Sequence, residues 1–427
     1  MDKRYRGPKL TAHLINERIR ELNYQLHAIS QWREFASNTQ WAVLVKDNIC
    51  VDGLRTTAGS YALKALKAKD ATCIRNLRIA GATPFGKTTM SELAGFVSTQ
   101  LPPGYSELGG QGVNPIDPCL SPGGSSSGSA IAVAAGLCHA AVGTETHGSI
   151  MIPAMACGVV GIKPSVGLIS RHGIIPISHS LDTPGALACN LKEAARLIEA
   201  MRGEDLNDEA TLECPIEHLD SIQSQDNVPL RIALLTGTPY VLDSQAKAVL
   251  QHFIDKAKSK RIEFVEVPYS EVKTHYKMIS SVEIQNDFDR FLSQFGNGNT
   301  PSTFKELVRF YEMRLPQHPF GIDRLVDALK YNPDINNSDY RQALQESTTN
   351  CTEAIRKVLN EQHVDAIATT SFVPWWAIGR APSIALPIGE TDNHRPVSLM
   401  LGQERHQDAR LLEIALRLEN AANYELG

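Results

Sequence analysis

The order of apolar and polar positions divides most of the chain into alternating helices and strands. Leu10, Leu14, Ile15, Ile19, Leu22, Leu26 and Ile29 recur close to every 3.6 residues, which predicts a helix across 9–36. "WAVLVKD" (41–47) is a short apolar run and predicts a buried strand that ends in a charged pair. "DATCIRNLRIAG" reads as a helix closed by Gly81, "TPFGKTTMSELAG" as a turn into another short helix, and 100–122 as a loop rich in Pro and Gly. "SAIAVAAGL" predicts an Ala-rich helix, "CHAAVGTET" a strand entering a loop at Gly143, and "IPAMACGVVGIKPS" a helix followed by a turn. "RIALLTG" and "RIEFVEV" flank the helical "SQAKAVLQHFIDKAKSK", which makes a βαβ unit. "VDAIATTS", "SIALPIG" and "VSLMLG" predict further strands, and "DARLLEIALRLENA" a closing helix. The alternation puts the chain in the α/β class. Residues 270–360 depart from it. They are mostly helical and more polar, and read as a cap section over one face, not as an independent domain.

Composition narrows the picture. The chain has 427 residues, of which 42% are hydrophobic and 21% charged, enough to bury a sizeable core. A net charge of -5 and a pI near 6.2 argue against a nucleic-acid binder. The opening "MDKRYRGPKLTAHL" is charged and lacks the apolar segment of a signal peptide. No apolar run reaches the ~18–20 residues of a membrane span. A cytoplasmic protein is therefore expected. The eight cysteines form no CxxC pair and no paired His spacing, so they read as reduced, buried residues, and no metal is expected.

Three polar spots lie in apolar surroundings. Lys46 closes the strand "WAVLVK". A lysine there either snorkels to solvent or stays buried, where desolvation lowers its pKa and lets it accept a proton. "SPGGSSSGSA" (121–130) has the composition of a flexible linker, yet it runs straight into the apolar "IAVAAGLCHAAVG". An N-cap accounts for one serine, not for all of Ser125, Ser126 and Ser127, and a Gly-rich turn at a helix start also brings backbone N–H groups close to a bound group. Ser149 follows Gly148 in "THGSI", where a sharp turn would expose a hydroxyl beside free N–H groups. Each spot alone has an ordinary structural explanation. Together they offer a serine, a relay and a lysine base, a known substitute for histidine.

At this point the sequence resembles the amidase signature family. The carrying stretches are "LVKDNICVDGLRTTAGS" (44–60), "GKTTMSELA" (86–94), "SPGGSSSGSAIAVAAG" (121–136), "GTETHGSIMIPAMACGVVGIKPSVGLISRHGIIPISHSLDTPG" (143–185) and "APSIALPIG". "GTET" followed by "VGLISRHGIIPISHSLDTPG" is most similar to the branch that includes bacterial peptide amidases. The resemblance implies one α/β domain over 1–427. Its core would be a twisted mixed β-sheet flanked by helices (about 37–200, 228–270 and 362–427), with the helical cap section at about 270–360. It implies Ser149 as nucleophile, Ser125 as a relay held by a cis peptide bond, and Lys46 as base. The backbone N–H groups of Thr146, His147, Gly148 and Ser149 would form the oxyanion hole, with Ser126 and Thr144 hydrogen-bonded around the triad. Glu92 and Asp182, in similar stretches, would cap helices and hold loops, and Lys87 would make a structural hydrogen bond or salt bridge.

The implied activity is hydrolysis of a linear carboxamide through an acyl-enzyme, without metal or cofactor. The partner is a small-molecule or peptide amide, and a homodimer, common in the family, stays open. The alternative is an amide-forming acyltransferase with the same triad. A component of a tRNA-dependent amidotransferase is a third reading, against which the peptide-amidase-like stretches argue. Some positions depart from the family pattern. His147 stands where the family has Gly or Asp. Either only its N–H matters, or its ring contacts substrate or tunes the pH response. Met151 stands where many members have Arg, and "QWREFASNTQWAV" replaces another helix. Trp375 and Trp376, in the brief "FVPWWAIGR", together with Met151, are the candidates for lining a substrate pocket.

Overall fold

The computed structural model describes residues 2–5, 10–35, 41–215, 219, 222 and 228–422. Their strands are β1 (Ile29–Trp32), β2 (Ala42–Lys46), β3 (Thr83–Thr88), β4 (Tyr105–Ser106), β5 (Gly110–Gln111), β6 (Ala140–Glu145), β7 (Val160–Lys163), β8 (Thr183–Ala188), β9 (Leu230–Thr236), β10 (Ile262–Pro268), β11 (Ala366–Thr369), β12 (Ser383–Glu390) and β13 (Pro396–Gly402). β4 and β5 pair only with each other. The rest form an 11-stranded sheet in the order β1-β3-β2-β6-β8-β7-β12-β13-β11-β9-β10. The sheet is mixed: β2 runs parallel to β3 and β6, and β9 parallel to β10 and β11, while β7, β8, β12 and β13 pair antiparallel.

Side-chain alternation builds the two faces. In β2, Val43 and Val45 enter one apolar layer, while Ala42 and Leu44 enter the other. The first layer holds the helices Thr72–Ile79, Leu191–Met201, Ser244–Ser259 and Asp408–Ala422. The second holds Ala12–Leu26, Ser127–Ala134 and part of Ser338–Glu361. The section 270–360 contributes the helices Tyr276–Phe295, Phe304–Arg314, Asp323–Ala328 and Ser338–Glu361. No helix among the described residues is long and apolar enough to cross a membrane.

The βαβ unit forms as expected, with β9 and β10 parallel and neighbouring. Other elements differ from expectation. The first helix stops at Leu26 because His27 turns left-handed (φ 49°), and the Asn23 side chain then holds the N–H groups of Ala28 and Ile29, so that β1 starts. "VGIK", expected as a turn, is β7, and "TPGALA" is β8 between β6 and β7. Part of "QWREFASNTQWAV", residues 36–40, lies outside the described residues, as do 6–9.

Candidate active site

Lys46 is the last residue of β2 and shares its parity with Ala42 and Leu44. Its side chain therefore faces the layer of helix Ser127–Ala134. β3 and β6 flank β2, and Lys46 is fully buried. Its Nζ donates to Ser125 Oγ (2.8 Å), Thr144 Oγ1 (2.9 Å) and Thr144 O (3.0 Å). No carboxylate touches it among the described residues. Burial pulls its pKa down to about 7, against the more distant fields of Asp182 and Glu145.

The Gly-Ser stretch is packed, not loose. Ser125, Ser126 and Ser127 are buried, and every residue of helix Ser127–Ala134 is buried too. The small residues permit this. A Cβ at Gly128 would lie 2.4 Å from Thr89 O and 2.5 Å from Ala28 O. The Gly124–Ser125 peptide is cis. Ser126 ties the stretch to the neighbouring strand: its Oγ donates to Thr144 O (3.1 Å) and accepts from Thr144 N (3.2 Å). Its own N–H donates to Ser149 O (3.1 Å), which brings Ser149 beside the serine run.

β6 ends at Glu145, and the chain turns through Thr146–Ile150 into helix Met151–Cys157. Gly148 takes φ +87°, a conformation other residues rarely adopt. Glu145 Oε2 accepts the N–H groups of Ile150 (2.7 Å) and Met151 (3.0 Å). The N–H groups of Thr146, His147, Gly148 and Ser149 meet no acceptor among the described residues. Ser149 is partly exposed, and its hydroxyl makes no hydrogen bond among them. Asp182 fixes the start of the turn. Its Oδ1 accepts from Thr146 Oγ1, and its Oδ2 from the N–H groups of Ile177 (2.8 Å) and Ser178 (2.9 Å). Burial pushes the Asp182 carboxyl up to about 6, against these hydrogen bonds. The His147 ring stacks on Tyr276 at 4.5 Å and meets Phe372 edge-on at 5.0 Å. Burial, helped by the Arg324 charge, lowers its pKa to about 4, so it is neutral at physiological pH.

Two cavities lie near the turn: Thr146 lines one of them, and Ser149 lines neither. One, of about 480 Å³, is largely apolar, with Gly123, Ile152, Met155, Leu242, Phe372 and Val397 on its wall. The other, of about 220 Å³, includes Asn48, Thr144, Thr146, Asp182 and Thr183. Trp375 and Trp376 line neither, which corrects the expectation for them. Both are fully buried in the core: Trp375 stacks on Tyr269 at 5.5 Å, and Trp376 fills the space over Gly402. Met151 is also fully buried and off both walls. One residue on, Ile152 is 37% exposed and takes the wall position. Asn48, Glu145 and Thr183 escaped the sequence reading although they lie in or beside the quoted stretches. Tyr276 and Phe372 carry no local signal and reach the turn only through the fold. Among the described residues, His179, Glu283 and Asp287 bring ligand-type atoms within 4.8 Å of one another. Their oxygens are engaged by Ser178, Tyr340 and the His179 N–H, as in a buried hydrogen-bond network.

A profile of the family described as Amidase matches residues 42–381. The chain belongs to this family. A probable amidase of Arabidopsis thaliana is 32% identical over 416 residues, covering 89% of this chain and 76% of the relative. A component of the glutamyl-tRNA(Gln) amidotransferase of Prochlorococcus marinus (strain MIT 9303) is 31% identical over 415 residues, covering 89% of this chain and 83% of its own. Among solved structures, native peptide amidase from Stenotrophomonas maltophilia matches with a TM-score of 0.89 and 29% identity, over 97% of this chain and 94% of that one. The fold is thus a single amidase-signature domain, and this member of the Amidase family is an amide-hydrolysing enzyme.

Proposed function

We propose that the chain is a serine amidohydrolase that cleaves a linear carboxamide through Ser149, Ser125 and Lys46. The observation that carries this reading is the state of Lys46: fully buried, free of carboxylate contact, 2.8 Å from Ser125 Oγ, with its pKa brought to about 7. Such a lysine is partly neutral at physiological pH and can accept a proton. Neutral Lys46 takes the Ser125 proton, Ser125 takes that of Ser149, and Ser149 Oγ attacks the amide carbonyl. The free N–H groups of Thr146, His147, Gly148 and Ser149 stabilise the oxyanion. The proton returns through Ser125 to the leaving nitrogen, and water hydrolyses the acyl-enzyme. Thr144 and Ser126 hold Lys46 and the turn in register. All proton-handling groups come from the chain itself. The apolar cavity takes the acyl side of the substrate, with Ile152, Met155 and Phe372 in the place expected for Trp375, Trp376 and Met151. The helical section 270–360 caps the site, since Asp287, Phe291 and Phe295 of helix Tyr276–Phe295 wall the polar cavity. The likeness to S. maltophilia peptide amidase favours amidated peptides among the substrates.

Intact mass after a fluorophosphonate probe, with peptide mapping, tests the reading. A single adduct on Ser149 that is lost in Lys46→Ala is expected. An adduct on Ser125, or one unchanged in Lys46→Ala, would overturn the assignment. The likeness to the P. marinus amidotransferase component also supports amide formation by the same triad, which product analysis with and without an added amine separates from hydrolysis.

A further inference from the structure

The turn from Thr146 to Ile150 is anchored at both ends and bare in the middle. Asp182 holds the Thr146 hydroxyl, and Glu145 Oε2 holds the N–H groups of Ile150 and Met151. The carbonyls of Gly148 and Ser149 accept from Ile152 N (2.8 Å) and Ser126 N (3.1 Å). Between these anchors, the Thr146–His147 and His147–Gly148 peptide groups make no hydrogen bond to another residue's backbone among the described residues. Their N–H groups, those of His147 and Gly148, are two of the four oxyanion donors proposed above. Gly148 sits at φ +87° and has no side chain to hold it. The side chain carried between these two peptide groups is that of His147.

Aromatic contacts fix that side chain. The His147 and Tyr276 rings stack with their centroids 4.5 Å apart and their planes 26° from parallel, and Phe372 meets the His147 ring edge-on at 5.0 Å and 69°. Burial keeps the imidazole neutral at physiological pH, so the stack joins two uncharged rings. Phe372 also closes on the turn directly: a Cβ at Gly148 would lie 3.1 Å from its Cε2.

Tyr276 is firmly placed in its turn. It is the first residue of helix Tyr276–Phe295 in the cap section. His275, just before it, is tied twice to helix Ser338–Glu361: its N–H donates to Ser347 Oγ (2.8 Å), and its Nε2 meets Glu346 Oε2 (3.0 Å). The Tyr276 side chain packs against a buried apolar cluster that includes Leu181, Ile279 and Val282. Its hydroxyl makes no hydrogen bond among the described residues, so what Tyr276 gives the turn is its ring.

We propose that Tyr276 is a positioning residue for the oxyanion turn: through the stacked ring of His147, the cap section holds the His147 and Gly148 N–H groups on the developing oxyanion. The inference rests on the reading of Ser149 as nucleophile and of these N–H groups as its oxyanion donors. Donors fixed in advance stabilise the oxyanion without reorganising at the moment of reaction. A loosened turn therefore slows the attack by Ser149 and leaves ground-state binding as it was.

The test follows labelling of Ser149 in the full-length enzyme by a fluorophosphonate, whose phosphoryl oxygen takes the place of the oxyanion. The limiting rate is separated from the half-saturating concentration. Tyr276→Leu keeps apolar bulk and removes the stacking ring. It lowers the limiting rate by about three- to tenfold, the size of one aromatic contact, at an unchanged half-saturating concentration. Tyr276→Phe, which keeps the ring, restores the rate. His147→Leu slows labelling to a similar extent, and the double variant is no slower than the slower single one, because the two rings act as a unit. The acidic limb of the labelling rate stays at about pH 7 in every variant, since the surroundings of Lys46 are untouched. An unchanged rate in Tyr276→Leu, a rise in the half-saturating concentration alone, Tyr276→Phe as slow as Tyr276→Leu, or losses that multiply in the double variant overturns the proposal. So does a displaced acidic limb, which would place the damage at Lys46. Should Tyr276→Leu fail to fold, His147→Leu against His147→Phe reads the same contact from the other ring, and equal rates overturn it. Absence of Ser149 labelling in the wild type overturns the reading of the triad instead.

Discussion

Lys46 and Lys87 are both fully buried, and they sit at the ends of adjacent parallel strands, where Val45 pairs with Lys87 and Lys46 with Thr88. One step of strand alternation separates their faces, and their surroundings differ in one respect. Lys87 Nζ lies 3.1 Å from Asp47 Oδ1 and also donates to Ile49 O (2.7 Å), Thr56 Oγ1 (3.1 Å) and Arg55 O (3.3 Å). Burial lowers its pKa, and Asp47 opposes the shift. Lys46 has a serine hydroxyl, a threonine hydroxyl and a carbonyl, but no carboxylate in contact. The acids whose fields reach it are committed elsewhere: Glu145 to the N–H groups of Ile150 and Met151, and Asp182 to the oxyanion turn. Burial alone therefore does not make a base. Lys163, buried with no carboxylate contact among the described residues, donates only to the Pro164 and Ala381 carbonyls; what sets Lys46 apart is that its uncompensated Nζ meets a serine hydroxyl, whereas Lys87 becomes a cross-brace through its carboxylate.

Removing each ammonium should break the comparison in opposite ways. Lys46→Met should lower kcat/KM for an amide substrate by about 10²–10⁴-fold, the usual contribution of a general base. It should cost no stability near pH 6.5. The folded pKa of about 7 lies below the ordinary lysine value of 10.5, so between these pH values the unfolded chain holds a proton the folded chain has shed. Stability from this group rises with pH across that window, and at pH 6.5 the buried charge opposes folding in full. Urea unfolding at pH 6.5 and 9.5 checks the sign: the variant compares best with wild type at the lower pH. Lys87→Met should do the reverse. It leaves Asp47 as a buried charge without its ion pair, at a cost of about 3–5 kcal/mol in unfolding free energy. A Lys87→Met enzyme as stable as wild type would mean the Asp47 pair contributes nothing.

The third effect is a pH profile. If Lys46 must be neutral, kcat/KM should climb as pH rises through about 7, with a slope of one proton. A profile flat from pH 5.5 to 8.5 would remove Lys46 from the proton path. His147, neutral above about 4, adds no limb in that range.

The same contrast explains what the sequence made legible. The runs of β2, β9, β12 and β13 are apolar enough to declare themselves; Lys46 ends the first, while Ser125 and Ser149 sit in Gly-containing stretches before and after β6. β7 and β8 did not declare themselves. "VGIK" and "TPGALA" carry Gly and Pro, and become strands because they lie between β6 and β12 in the sheet, where tertiary pairing overrides propensity. At Gly185 a Cβ would lie 2.2 Å from Ile162 O, so the residue that weakens the local signal is the one the packing requires. Trp375 and Trp376 misled for a related reason: adjacent aromatics on a short helix look available, yet both are enclosed by strands distant in sequence. The partner of Lys87 adjoins Lys46 in the chain, but nothing in "LVKDN" says which lysine Asp47 will serve. Only the alternation of strand faces decides it.

Asp182 offers the finest adjustment. It does not touch Lys46, yet its field holds the lysine pKa up, and its carboxyl anchors the Thr146 hydroxyl and the N–H groups of Ile177 and Ser178. Asp182→Asn therefore removes charge: its amide oxygen keeps the Ile177 and Ser178 N–H groups, and its Nδ2 donates to the Thr146 hydroxyl. With less negative potential nearby, Lys46 loses its proton more readily, and the acidic limb of kcat/KM moves to lower pH. The shift should be under about one pH unit, because the interaction acts at a distance across several intervening groups. It should be largest above pH 6, where wild-type Asp182 is ionised, and fade below it as that carboxyl takes up its own proton. A limb that moves upward, or a loss of activity uniform across pH, would make Asp182 a purely mechanical support for the turn. A downward shift at unchanged plateau rate would identify it as the distant counter-charge that keeps Lys46 from being neutral too early.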